Sequence, residues 1–125
     1  GHARQLAEQA RRDGLDAVLV LGGDGTVNEV VNGLLAEGPG HDVPVLGTVP
    51  GGSANVFARS IGLPEDPVEA TGVVIEALEH KRTRTIGLGF DGLCASCAVA
   101  PAAPLQKGFC QISAAVPVPA VDQAL

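Results

Sequence analysis

The sequence predicts an α/β fold, an open and mostly parallel sheet with flanking helices, followed by an irregular C-terminal tail. Short, wholly apolar runs alternate with stretches of helical periodicity, which is the pattern of strands buried between layers of helices. The connections between them are short. Two of the apolar runs end in a Gly-Gly turn that opens the next helix, "LVLGGDGT" and "GTVPGGSAN".

The elements follow in order along the 125 residues. "HARQLAEQARRDG" sets Ala3, Leu6, Ala7 and Ala10 at helical spacing, with Gly14 as the stop. "DAVLVL" is a strand expected to be buried on both faces. "TVNEVVNGLLAEG" is a helix carrying Val27, Val30, Val31, Leu34 and Leu35 on one side. After the polar loop "GPGHD" comes a second apolar strand, "VPVLGTVP". "SANVFARSIG" predicts a helix capped by Ser53 and ended by Gly62 and Pro64. "DPVEATGVVIEALEHK" is a further helix with Asp66 as N-cap, Pro67 in first position and basic residues in its last turn. "RTRTIGLG" is a third strand.

The domain division is 1–92 for this α/β unit and 93–125 for a tail of different character. The tail holds Cys94, Cys97 and Cys110, four prolines, and only Lys107 and Asp122 as charged residues. Pro101, Pro104, Pro117 and Pro119 interrupt every attempt at periodicity. It reads as a disordered segment or the product of a shifted reading frame. "CASC" has the spacing of a metal-binding half-site, but His2, His41 and His80 lie far upstream, so free thiols and no metal are expected.

Composition excludes several classes of function. Three Phe and no Trp or Tyr leave no stacking platforms for single-stranded nucleic acid. A formal net charge of −6 opposes DNA binding and strong attraction to anionic lipid. No apolar run approaches a membrane span and no secretory leader pattern is present, so a cytoplasmic protein with at most peripheral membrane contact is expected.

The glycine turns carry the chemistry. A Gly-rich turn between a parallel strand and a helix lets the backbone come close to a ligand and presents helix-start N–H groups to an anion. Gly22, Gly23, Gly25 and Thr26 form such a turn, but no Lys-Ser/Thr follows, so this is not a P-loop. Gly23-x-Gly25 half-matches the dinucleotide fingerprint, with Asn28 in place of the third glycine. Asp24 is unexpected there, because a carboxylate repels phosphate unless a metal ion lies between them or the group takes part in the reaction. Gly51, Gly52 and Ser53 repeat the arrangement, and in a parallel sheet both turns emerge on one edge, where they can face each other across a crevice and grip one nucleotide. Ser53 can offer a hydroxyl to a phosphate. Asn55 can either bond a ligand or support its own backbone. Glu29 fits a helix-start acid and Arg59 a solvated helix residue.

"GGDGTVNEVVNGL" followed by "GTVPGGSANVFARSIGLP" resembles the catalytic domain of the diacylglycerol kinase and sphingosine kinase family, especially its bacterial lipid kinases, over roughly residues 1–89. GGDGT alone is shared with NAD kinases and phosphofructokinase-like enzymes. The resemblance implies an ATP site at Gly23, Asp24, Gly25, Thr26, Val27, Asn28 and Glu29, with Ser53 as a further contact and Asp24 linked to phosphate or Mg²⁺. It implies transfer of the γ-phosphoryl group of ATP, with Mg²⁺, to the hydroxyl of a diacylglycerol-like lipid. Family members also carry a preceding strand and helix and a second β-rich domain with the general base and magnesium-linked acids. Nothing here matches these, so the chain is expected to be an inactive fragment. An NAD kinase-like phosphotransferase and a non-catalytic nucleotide-binding remnant are the alternatives.

Overall fold

A computed structural model of the chain describes residues 1–38, 42–90, 95–100 and 109–117. Four helices, α1 (His2–Arg12), α2 (Asp24–Leu34), α3 (Val56–Ser60) and α4 (Pro67–Glu79), flank one sheet among these residues. Its strands are β1 (Ala17–Gly22), β2 (Val45–Pro50), β3 (Thr83–Phe90), β4 (Ala95–Ala100) and β5 (Phe109–Ala115), in the spatial order β1-β2-β5-β3-β4. β1 runs parallel to β2, and β2 to β5. β3 is antiparallel to both β5 and β4. Four strands therefore point one way and β3 alone runs against them, so the sheet is open and mostly parallel.

Helix signals in the sequence translate directly. Asp66 accepts a hydrogen bond from the Glu69 N–H at 3.0 Å and Pro67 opens α4. Gly14 and Gly62 end α1 and α3 with φ of +72° and +87°, a region that glycine enters without steric cost. Val27, Val30, Val31, Leu34 and Leu35 all turn inward from α2 and its C-cap. They join Leu46, Phe57, Ile86 and Ile112 in one core. Burying each such side chain contributes about 1.5–3 kcal/mol. The expected basic last turn of α4 is not there, because the helix stops at Glu79, before His80, Lys81 and Arg82.

Two expectations about strands are corrected. Among the described residues β1 lies at the edge of the sheet and is covered on one face: Val20 is 4% exposed, whereas Leu19 and Leu21 are 54% and 72% exposed. A continuous apolar run carries no period, so it cannot reveal that only the α2 side is covered. Beside this edge, Ala3 and Leu6 of α1, Val18 and Leu21 of β1, and Val30 of α2 line an open groove of about 230 Å³. The stretch 93–125, read as irregular, supplies β4 and β5, and β5 sits inside the sheet between β2 and β3. Ile112, Ala114 and Ala115 of β5 are buried. Neither strand contains a proline, so the ladder hydrogen bonds of both keep their N–H donors. Cys94 lies outside the described residues.

Candidate functional site

The site is built where β1 and β2 end. Their register pairs residue for residue through Gly22↔Pro50, so the turns that follow leave the sheet side by side. The Gly51 N–H donates to the Gly22 carbonyl at 3.0 Å, extending the ladder one step past β2. Beyond that point the two backbones touch. A Cβ on Gly52 would lie 2.6 Å from the Gly23 Cα, and one on Gly23 would lie 3.1 Å from the Gly52 Cα. The turns therefore meet as one continuous surface and leave no crevice between them.

Gly22 packs just as tightly, since a Cβ there would meet Thr26 Cβ at 2.9 Å. Gly25 is different: it is exposed and a Cβ would meet nothing within 4 Å. Gly23 is the N-cap of α2 in extended conformation and, being glycine, supplies no side chain to cap this helix end. Its first-turn N–H groups thus face the same surface, at the positive end of an eleven-residue helix.

Asp24 reaches across to the other turn. Its Oδ2 accepts from the Val56 N–H at 3.0 Å and its Oδ1 from the Phe57 N–H at 3.1 Å. These donors belong to the start of α3, where Ser53 was expected to act as cap. Instead α3 begins at Val56, with Asn55 as N-cap in the left-handed region at φ 50°. Both ends of the Asn55 amide are used on Gly52: Oδ1 accepts from its N–H at 2.9 Å and Nδ2 donates to its carbonyl at 2.9 Å. Asn55 thus supports the backbone of its own turn. Ser53 is exposed on the turn.

The remaining sequence candidates are placed less uniformly. Val27 points into the core at 4% exposure, and its N–H donates to the Gly23 carbonyl at 3.1 Å. Asn28 lends its carbonyl to Asn32 Nδ2 at 2.8 Å. Glu29 Oε1 pairs with the Gly1 ammonium at 2.8 Å, and Arg59 is exposed. Gly22, Gly23, Asp24, Gly25 and Thr26 are thus brought together with Gly51, Gly52, Ser53 and Asn55. Sequence reasoning missed the partnership of Asp24 with Val56 and Phe57. No spacing rule links residues 32 and 33 positions apart on different loops.

Residues 1–89 match the model of the diacylglycerol kinase catalytic domain. The chain belongs to the diacylglycerol kinase catalytic domain family. It is 47% identical over 76 residues to a Chromohalobacter salexigens protein named "Probable lipid kinase YegS-like", covering 61% of this chain and 24% of that protein. Against the Escherichia coli lipid kinase YegS it is 48% identical over 65 residues, covering 52% of this chain and 21% of that one. A crystal structure of a diacylglycerol kinase from Bacillus anthracis superposes with a TM-score of 0.61 at 28% identity, over 74% of this chain and 32% of the other. The chain therefore spans between a fifth and a quarter of the curated relatives it matches. It has a lipid kinase-like catalytic-domain fold, and no helix among the described residues is long and apolar enough to cross a membrane.

Proposed function

We infer that this chain forms the donor half of an ATP-dependent lipid kinase site, serving γ-phosphoryl transfer to the hydroxyl of a diacylglycerol-like lipid. The observation that carries this is the fused surface of two glycine turns at the ends of adjacent parallel strands, with Gly25 open to close approach and the glycine-started N-terminus of α2 beside it. A phosphate chain laid over that surface meets backbone N–H donors and the positive end of α2. Gly22, Gly23, Gly25 and Thr26 together with Gly51, Gly52 and Ser53 form the contact surface, while Asp24 and Asn55 shape it. Val27 and Glu29 flank it through the first turns of α2. The lipid acceptor approaches from a membrane surface.

Among the described residues no three His, Cys, Asp or Glu side chains are grouped to hold a metal ion. Mg²⁺ needs no such group, since it is commonly held through one or two carboxylates together with substrate phosphates. Mg²⁺ belongs to the proposal as the counter-ion of the ATP phosphates, offsetting their charge. Positioning the donor without a base for the acceptor proton leaves most of the barrier in place. The 125-residue chain alone thus binds nucleotide without turning over.

Calorimetric titration with MgATP and with NAD⁺, alongside radiolabelled transfer assays on diacylglycerol vesicles, tests this reading. Saturable MgATP binding without NAD⁺ binding or lipid phosphorylation is expected. Preferential NAD⁺ binding favours an NAD kinase-like site, and no nucleotide binding at millimolar concentration removes the proposal.

A further inference from the structure

We propose that Asp24 is a positioning residue, whose carboxylate braces the Gly51–Asn55 turn against the Gly22–Gly25 turn and fixes the spacing of the donors between them. The affinity part of this rests on reading the surface as the nucleotide site; the brace itself does not.

The inference starts from the puzzle of an acid inside an anion-binding turn. A carboxylate aimed at the ligand would repel phosphate. Here each oxygen instead accepts a backbone N–H from the start of α3, at 3.0 and 3.1 Å. Asp24 is also the first residue of α2, so its negative charge lies near the positive ends of two helices. Charge-assisted bonds of this kind are among the stronger hydrogen bonds in proteins.

Three further contacts show what the brace holds. Gly51 N–H binds the Gly22 carbonyl, Gly23 and Gly52 pack backbone to backbone, and Asn55 ties down Gly52 from both sides. All lie within the same two turns. Remove the carboxylate and the Val56 and Phe57 N–H groups lose their acceptors, while the glycine contact, which has no side chains to interlock, loses its lateral restraint. The turns then drift apart at the point where a ligand spans them. Misplacement by a fraction of an ångström to an ångström is enough to weaken a positioned ligand severely.

Asparagine at this position keeps one acceptor and turns an NH₂ toward a backbone N–H. In Asp24→Asn, the amide proton resonances of Val56 and Phe57 are expected to move upfield and exchange faster, with those of α1 unchanged. MgATP affinity is expected to fall about tenfold. Gly52→Ala parts the same turns without touching the carboxylate, so the double variant Asp24→Asn/Gly52→Ala should bind MgATP about as weakly as either single variant.

Unchanged Val56 and Phe57 resonances in Asp24→Asn overturn the brace, and additive affinity losses overturn its action through loop spacing. A wild-type chain that binds no nucleotide, yet shows the amide changes in Asp24→Asn, retains the brace and removes the ligand reading instead. If Asp24→Asn fails to fold, Asp24→Glu, which keeps the charge and both acceptors, is expected to fold with near-wild-type Val56 and Phe57 resonances. A folded Asp24→Glu lacking them overturns the proposal.

Discussion

Asp24 and Arg11 solve the same problem at opposite ends of the molecule. Asp24 sends a carboxylate to the N–H groups that open α3. Arg11 sends a guanidinium from α1 to the C-terminal end of α2, where Nη1 donates to the Leu34 carbonyl at 2.7 Å and also to that of Gly38. In each case a side chain distant in sequence caps a helix end, with charge of the sign that the helix dipole favours. The difference is access to water. Arg11 is 8% exposed, whereas Asp24 is half-buried at the surface proposed as the nucleotide site. One device joins α1 to the end of α2, and the other joins the two glycine turns.

That contrast predicts its largest effect at Arg11. Arg11→Ala strips the donor from the buried Leu34 carbonyl and opens a cavity beneath α1, and is expected to cost about 3 kcal/mol of stability. Urea unfolding monitored by far-ultraviolet circular dichroism measures it, and MgATP affinity of the folded population should stay at the wild-type value. A loss near zero, or weakened nucleotide binding at full stability, would break the distinction.

Gly25 tests the other side of the comparison. It lies in the first turn of α2 with open space around it, so alanine costs the fold nothing and slightly favours the helix. Gly25→Ala should raise the melting temperature marginally while lowering MgATP affinity by about tenfold, roughly 1.4 kcal/mol. A methyl group that leaves affinity intact would show that the ligand does not approach the backbone there.

Asp66 is the local version of the same capping chemistry, since its acceptor and the Glu69 N–H are three residues apart. Asp66→Ala should cost about 1 kcal/mol in thermal unfolding, with no change in nucleotide binding. A cost above that of Arg11→Ala would mean that local caps outweigh the long-range clasp.

Legibility in the sequence followed this division between local and remote. The cap at Asp66, the stops at Gly14 and Gly62, and the inward face of α2 are set by neighbours within one or two helical turns, and each was readable from spacing. Both glycine turns were readable for the same reason. The start of α3 was not, because its cap comes from Asp24 and not from Ser53. Nor was the contact between the turns: glycines that permit close approach to a ligand and glycines that permit close approach to each other look identical in sequence. β5 was missed because its seven residues, FCQISAA, show no sustained alternation and lie in a proline-rich stretch, and its place beside β2 and β3 is decided by long-range pairing.

The smallest effect separates the two halves of the Arg11 clasp. Asp42 meets Arg11 Nη2 at 3.0 Å and Nε at 3.2 Å, but the two side chains differ sharply in exposure, 7% for Arg11 and 67% for Asp42. Water therefore screens the acid from its partner, and such pairs contribute little. Asp42→Asn removes the charge while keeping one oxygen as an acceptor, so its cost should be below about 0.5 kcal/mol and should vanish as salt is raised. Urea unfolding at low and high ionic strength checks this. If Asp42→Asn matched Arg11→Ala, the ion pair and not the buried carbonyl bonds would be what anchors α1 to the end of α2. A small, salt-sensitive loss instead assigns that anchoring to the bonds from Nη1, the part of the clasp that water does not reach.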